Sequence, residues 1–286
     1  MPYLKINGWP LFYERRGSAL PQGSLVIFFN GWLLSSRYWA ETAARLEKDC
    51  QLLLFDGRGF GRSSLRQSPE ARSYHATIEN SAREAFDLLQ ALNLDQGWKY
   101  HVVGHSLGAV SAAHFAAQAE QRGQLASLTI VNSGSFESTE PQGIGLDTFV
   151  RYFVKLKWLF DLPLVRQLVV SRSVTLPISS SYARIITEDF VLADERLALE
   201  MSLSSLDSAN LQRYREELEQ LRAPLLLVVG DRDPTIPPRG MYTIKGFKPS
   251  AELVSFPDCG HLPMLERPAD FAQALMRSIA RSQVTI

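Results

Sequence analysis

Cysteine is scarce in this chain: only Cys50 and Cys259 occur among its 286 residues. Two cysteines cannot build a dense disulfide framework, so the sequence predicts two reduced thiols in a cytoplasmic protein. No apolar run approaches the roughly 18 residues of a membrane span, and the first residues lack the regions of a secretion signal. Thirty basic residues balance thirty acidic ones, and no patch of like charge stands out. We therefore expect no nucleic acid as a partner.

Apolar residues are abundant, at 45% of the chain, which is enough for a large buried core. Short apolar runs without polar alternation recur along the sequence and are typical of strands covered on both faces. Helical patterns lie between the runs, and this alternation favours a mostly parallel, eight-stranded α/β sheet flanked by helices. The predicted strands are Tyr3–Ile6, Leu11–Glu14, Ser24–Phe29, Gln51–Phe55, Tyr100–Val103, Leu128–Val131, Leu225–Val229 and Leu253–Phe256, and the predicted helices are Trp39–Lys48, Ile78–Leu92, Ser106–Arg122 and Ala269–Arg281.

The alternation of strands and helices stops between about residues 136 and 222, where helix formers dominate. We predict a core domain from residues 1–135 and 223–286, with a helical cap, 136–222, inserted after the sixth strand. Within the cap, Phe149–Phe160 mixes aromatic and basic side chains. The usual amphipathic pattern favours cap helices whose apolar side covers a pocket. An interfacial helix that touches lipid is the alternative.

The sequence G-H-S-L-G at residues 104–108 follows a predicted strand and opens a predicted helix. A serine in this context lies in a sharp strand-to-helix turn, because the two glycines leave room where a Cβ would clash. The turn lifts the Ser106 hydroxyl clear of the sheet edge, towards the positive end of the following helix. Ser106 is therefore the candidate nucleophile, and a plain turn serine is the alternative.

A serine nucleophile needs a base, and the base needs an acid that orients it. His261 follows the last predicted strand, and an imidazole is suited to accept the serine proton near neutral pH. Asp231 and Asp233 both follow the seventh predicted strand, at the edge where the sites of open α/β sheets lie. The residues alone leave both aspartates open as the acid.

The oxyanion that forms during acyl transfer needs two N–H donors from the main chain. The Leu107 N–H, directly after the nucleophile, is one candidate donor. The Trp32 N–H is the other, because Trp32 lies in the turn that follows the third predicted strand. The glycine-rich run at 56–63 does not have the spacing of a phosphate-binding loop, so we predict a structural turn there.

Four motifs together resemble the α/β-hydrolase fold superfamily, serine esterase type, over most of the chain except the cap. They are GHSLG at 104–108, DGRGFGRS at 56–63, GDRDP at 230–234 and GHLPMLERP at 260–268. The order Ser106, Asp233, His261 matches the catalytic triad of that family, and the comparison favours Asp233 over Asp231. Gly31-Trp32 and the run at 58–63 are similar to bacterial arylesterases and cofactor-free haloperoxidases. That resemblance implies hydrolysis of carboxylic esters.

One position departs from the family: Asn30-Gly31 stands where most relatives have His-Gly. The histidine usually supports the oxyanion loop, and Asn30 is able to form hydrogen bonds in its place. Asn-Gly is also similar to some intracellular polyester depolymerases. The departure bears on the subfamily more than on the activity.

The sequence predicts a serine hydrolase that cleaves a small ester with a hydrophobic acyl or alcohol group, without a metal or an organic cofactor. A thioesterase, a perhydrolase and a carbon–carbon bond hydrolase use the same triad and stay open as alternatives. A non-catalytic binding protein on the same fold is a further alternative, disfavoured because it has no need of a complete triad.

Overall fold

A computed structural model describes residues 2–17, 23–64, 73–134, 151–152 and 154–284. The first part of the predicted cap, residues 136–150, lies outside this set. In the described residues, eight strands form one sheet in the order β1-β2-β4-β3-β5-β6-β7-β8. The strands are β1 (Tyr3–Ile6), β2 (Trp9–Arg16), β3 (Ser24–Phe29), β4 (Gln51–Phe55), β5 (Lys99–His105), β6 (Leu125–Val131), β7 (Leu225–Gly230) and β8 (Glu252–Phe256).

The sheet is parallel from β4 to β8, whereas β1 and β2 form an antiparallel hairpin at one edge, and β2 pairs antiparallel with β4. Central strands are buried on both faces. In β3, for example, Leu25 and Ile27 pack into one hydrophobic cluster, and Val26 and Phe28 pack into the other. This double burial explains why the strands appear in the sequence as continuous apolar runs.

Helices cover both faces of the sheet, and the mostly parallel, eight-stranded sheet flanked by helices that the sequence predicts is confirmed. Thr77 caps the helix that follows it by accepting a hydrogen bond from the Asn80 N–H at 3.2 Å. The described helices are α1 (Ala40–Leu46), α2 (Ile78–Ala91), α3 (Gly108–Gln121), α4 (Pro163–Ser171), α5 (Ser180–Leu192), α6 (Glu195–Leu206), α7 (Ser208–Gln220), α8 (Arg239–Phe247), α9 (Pro263–Glu266) and α10 (Pro268–Val284).

Helices α4–α7 lie between β6 and β7, and the described residues of this helical insertion include no strand. The insertion is bonded to the loop after β3. The Trp32 indole N–H donates to the Ala198 carbonyl at 2.8 Å, and the Ser35 N–H donates to the Asp189 carboxylate at 3.0 Å. The insertion therefore lies beside the loop that we expect to supply an oxyanion donor.

The glycine-rich run after β4 is organised by the carboxylate of Asp56. One oxygen accepts hydrogen bonds from the N–H and the hydroxyl of Ser36, at 2.7 and 2.6 Å, and the other accepts from Arg62. Gly61 has φ +49°, and a Cβ there would lie 2.5 Å from the Cβ of Ser35. These contacts support the prediction of a structural turn.

Both cysteines are buried free thiols. Burial raises the pKa of Cys50 to about 11 and also raises that of Cys259, so both thiols stay protonated near neutral pH. In the ranges that the structure describes, no helix combines the length and the apolar character needed to cross a membrane.

Candidate active site

Ser106 lies in the turn between β5 and α3, at the carboxyl edge of the parallel strands. Its φ is +54°, a left-handed conformation that residues with a side chain rarely adopt. A Cβ on Gly108 would lie 2.1 Å from the Asn30 carbonyl oxygen, and one on Gly104 would lie 2.5 Å from the Ala112 Cβ. Glycine is therefore required at both positions, because any side chain there would clash with the residues packed against the turn.

His261 and Asp233 are hydrogen-bonded to each other: the imidazole Nδ1 lies 2.6 Å from the Asp233 Oδ2. The second carboxylate oxygen accepts from the N–H groups of Thr235 and Ile236, at 2.7 and 2.9 Å. Both side chains are buried, with exposed fractions of 8% and 1%. Because a carboxylate is an acceptor only, we assign the proton to Nδ1, which leaves Nε2 with a free lone pair.

Asp231, the other candidate acid, has different partners. Its carboxylate accepts from the Tyr242 hydroxyl at 2.7 Å and from the Ser255 hydroxyl. Neither partner belongs to the predicted triad. His261 is thus hydrogen-bonded to Asp233 and not to Asp231, and the catalytic role of Asp233 stays a prediction.

His105 connects the serine turn to the histidine loop. Its Nε2 donates to the carbonyl oxygen of His261 at 2.8 Å, and the two ring centroids are 4.6 Å apart. Burial, together with the nearby His261, lowers the pKa of His105 well below its usual range, so the ring is neutral. His105, which directly precedes Ser106, therefore joins the serine turn to the histidine loop through an uncharged contact.

Within the described residues, neither the Ser106 hydroxyl nor the Leu107 N–H has a hydrogen-bond partner. Catalytic hydrogen bonds are often unformed in a site without substrate. The arrangement therefore leaves the hydroxyl and the N–H available for a bound ester.

A cavity of about 50 Å³ lies beside the predicted oxyanion donors. It is lined by Gly31 and Trp32 of the predicted oxyanion loop, by Leu107, and by Phe60 and Met201. Asn30 fixes the loop with two hydrogen bonds. Its amide nitrogen donates to the Phe55 carbonyl at 2.7 Å, and its amide oxygen accepts from the Trp39 indole N–H at 2.8 Å. Asn30 supports the loop, as expected for the residue that replaces the family's histidine.

Two supporting residues were missed in the sequence. The buried Glu266 carboxylate accepts from the N–H groups of Gly260 and Leu262, at 2.9 and 3.1 Å, and these two residues flank His261. Asn132 joins the same loop to β7, because it donates to the Gly260 carbonyl and accepts from the Gly230 N–H, each at 2.8 Å. Glu266 lies within the GHLPMLERP motif, which was the signal that could have identified it.

The remaining histidines lie away from this site. His101 contacts the Ser127 hydroxyl at 2.8 Å, His114 contacts Glu217 at 2.6 Å, and His75 contacts Glu200 at 3.4 Å. Across the described ranges, no three His, Cys, Asp or Glu side chains are grouped so that they could hold a metal ion.

Comparisons with known proteins identify the family of this chain. A family model described as alpha/beta hydrolase fold matches residues 24–268. The pimeloyl-[acyl-carrier protein] methyl ester esterase of Xanthomonas oryzae is 28% identical over 92% of this chain and 97% of its own. Lipase 1 of Psychrobacter immobilis is 27% identical over 97% of this chain and 83% of its own.

Among solved structures, a putative lipase of Acinetobacter baumannii superposes with a TM-score of 0.81 at 20% identity. The match covers 99% of this chain and 92% of the lipase. At that level of identity, the likeness concerns the fold alone. The family model and the sheet topology together establish that the chain belongs to the α/β-hydrolase fold family and is a hydrolase.

Proposed function

We propose that this enzyme hydrolyses carboxylic esters through an acyl-enzyme on Ser106. The Nε2 of His261 removes the proton from the hydroxyl, whose oxygen attacks the ester carbonyl. The N–H groups of Trp32 and Leu107 hold the resulting oxyanion, and Asp233 stabilises the imidazolium. The imidazolium then protonates the departing alcohol. Water releases the acid in the second half of the reaction, with His261 again acting as base.

The observation that carries this proposal is the hydrogen-bonded His261–Asp233 pair, together with the bond from His105 to the His261 carbonyl. His105 directly precedes the serine in the strained turn. The names of the relatives, an esterase and a lipase, support ester chemistry. The cavity beside the predicted oxyanion donors is lined mainly by apolar side chains, among them Phe29, Phe55 and Phe60. The apolar part of this lining supports a hydrophobic acyl or alcohol group on the ester.

Labelling with a fluorophosphonate tests the nucleophile directly, because the reagent bonds to an activated serine. We expect the protein to be labelled, and Ser106→Ala to abolish labelling while lowering kcat on a p-nitrophenyl ester by about 10⁴-fold or more. Ser133→Ala, at another buried serine, is the matched control and should leave both signals in place. Labelling that persists in Ser106→Ala would show that another residue is the nucleophile.

A further inference from the structure

The stretch 151–172, here called the surface segment, concentrates exposed apolar side chains. Leu164 is 82% exposed and Trp158 is 62% exposed. Only four other large hydrophobic side chains are exposed in the described ranges, and they are scattered from Tyr3 to Tyr242. The exposed apolar side chains of the surface segment are Tyr152, Leu156, Trp158, Leu162, Leu164 and Leu168. A cluster of this kind marks an interaction surface.

The surface segment is anchored to the molecule by its opposite side. Val154, Phe160 and Val169 are buried, and Val154 packs into a cluster with Leu33, next to the predicted oxyanion donor. At the other end of the segment, the Arg172 carbonyl accepts a hydrogen bond from the Thr235 hydroxyl at 2.6 Å. The exposed apolar side chains are therefore presented by a packed element beside the candidate active site.

The surface segment is also strongly basic. It contains Arg151, Lys155, Lys157, Arg166 and Arg172 but only one acidic residue, Asp161. Because the whole chain has a formal net charge of zero, the rest of the molecule is net negative. Lys157 of the segment lies 3.9 Å from Glu195 and donates to the Ala193 carbonyl. A net positive charge of the surface segment thus coincides with its protruding apolar side chains.

From this combination we infer that the surface segment docks on an anionic lipid bilayer. Tryptophan, tyrosine and leucines interleaved with lysine and arginine are the composition of elements that lie in the membrane interface. An acidic protein would match the charge as well. Acyl chains, however, close around a protruding side chain such as Leu164, which is 82% exposed, without a preformed pocket. Docking in this orientation brings lipid-borne esters to Ser106; this substrate class rests on the proposed function, whereas membrane binding does not.

Co-sedimentation of the full chain with vesicles tests the inference. We expect binding to vesicles of phosphatidylcholine mixed with phosphatidylglycerol, weaker binding to phosphatidylcholine alone, and a loss of binding as salt is raised. Trp158→Ser with Leu164→Ser should lower the partition coefficient by about a hundredfold. Lys155→Gln should lower it about fivefold on the anionic vesicles only.

Leu203→Ser is the matched control, because Leu203 is an exposed leucine of α6 outside the surface segment, and it should bind as the wild type does. Hydrolysis of a short, water-soluble ester by each variant reports an intact fold and separates failure of docking from failure of the proposed function. The inference is overturned if no vesicle is bound, if the double variant binds like the control, or if only the acidic polypeptide poly-glutamate is bound.

Discussion

At the scale of single residues, two aspartates in one loop differ in what they touch. Asp233 bonds to the imidazole of His261, whereas Asp231 bonds to two hydroxyl groups. We expect Asp233→Asn to lower kcat on an ester by about 10⁴-fold, because the amide no longer fixes the imidazole tautomer. Asp231→Asn should keep kcat near that of the wild type. Steady-state kinetics of both variants measures the two kcat values. An equal fall in kcat for the two variants would refute the assignment of Asp233 as the acid.

The role of Asn30 depends on the nitrogen and on the oxygen of its side-chain amide. Asn30→Ala leaves the Trp39 indole N–H and the Phe55 carbonyl without their partner. We expect the free energy of unfolding to fall by about 1–3 kcal/mol for each buried group left unpaired.

Asn30→His is the matched variant, since an imidazole also offers one donor and one acceptor. It should retain more stability and more activity than Asn30→Ala. Urea unfolding, followed by tryptophan fluorescence, measures the difference. An alanine variant as stable as the wild type would show that these two hydrogen bonds do not support the oxyanion loop.

At the scale of elements, the sequence was most informative where a strand is buried on both faces. β3 and β4 were predicted with their observed bounds, because an unbroken apolar run indicates such burial directly. Helix α8 was not predicted: it contains Gly240 and Gly246, and glycine weakens the helical signal. Local patterns therefore identify elements that bury much apolar surface and miss those that tertiary contacts stabilise.

The loop that carries His261 shows why part of the site could not be found from the sequence. Glu266 lies in the GHLPMLERP motif together with His261, but the motif does not show what its carboxylate contacts. Glu266 acts through main-chain N–H groups, and any residue type supplies a main-chain N–H. No periodicity indicates which N–H groups a buried carboxylate will accept from, so this contact becomes visible only in three dimensions.

Glu266 also joins the histidine loop to the helical insertion, because its Oε2 accepts from the N–H groups of Thr175 and Leu176, both at 2.8 Å. Glu266→Gln replaces one acceptor oxygen with a donor, which then faces at least one of the four N–H groups that bond to the carboxylate. We expect kcat to fall by about 10²-fold with a smaller change in KM, because displacing the imidazole slows proton transfer more than it weakens substrate binding.

Glu252→Gln, at a carboxylate paired with Arg281 on the surface, is the control for removing one negative charge. A purely structural role for Glu266 would lower the melting temperature while leaving the kcat of the folded fraction unchanged. Kinetics combined with active-site titration by the fluorophosphonate distinguishes that outcome from the expected one.

At the scale of the whole molecule, the helical insertion and the sheet domain are joined by polar contacts around the candidate site. One of these contacts joins the Asp189 carboxylate of α5 to the Arg37 guanidinium of the loop after β3. The Asp189 carboxylate is fully buried. Removing a carboxylate from water is costly, even opposite a cation. The connection between the two parts should therefore respond to pH.

That response has a definite sign. Burial raises the pKa of Asp189 from 3.8 to about 6, against the opposing effect of Arg37. Between these two values the folded protein holds the proton more tightly than the unfolded chain does. The contribution of the protonated carboxyl to stability is therefore complete below about pH 4 and is lost as the pH rises through about 6.

Asp189→Asn removes this titration while keeping an oxygen that can accept from the Ser35 N–H. As the pH rises from about 3 to about 7, the free energy of unfolding of the wild type should fall by about 3 kcal/mol relative to that of the variant. Urea unfolding of both proteins across this pH range measures the two free energies. The contributions of the other titrating groups cancel when the value for the variant is subtracted from that for the wild type. Parallel curves for the two proteins would mean that Asp189 titrates in the folded protein as it does in the unfolded chain, and that its burial carries no pH-dependent cost.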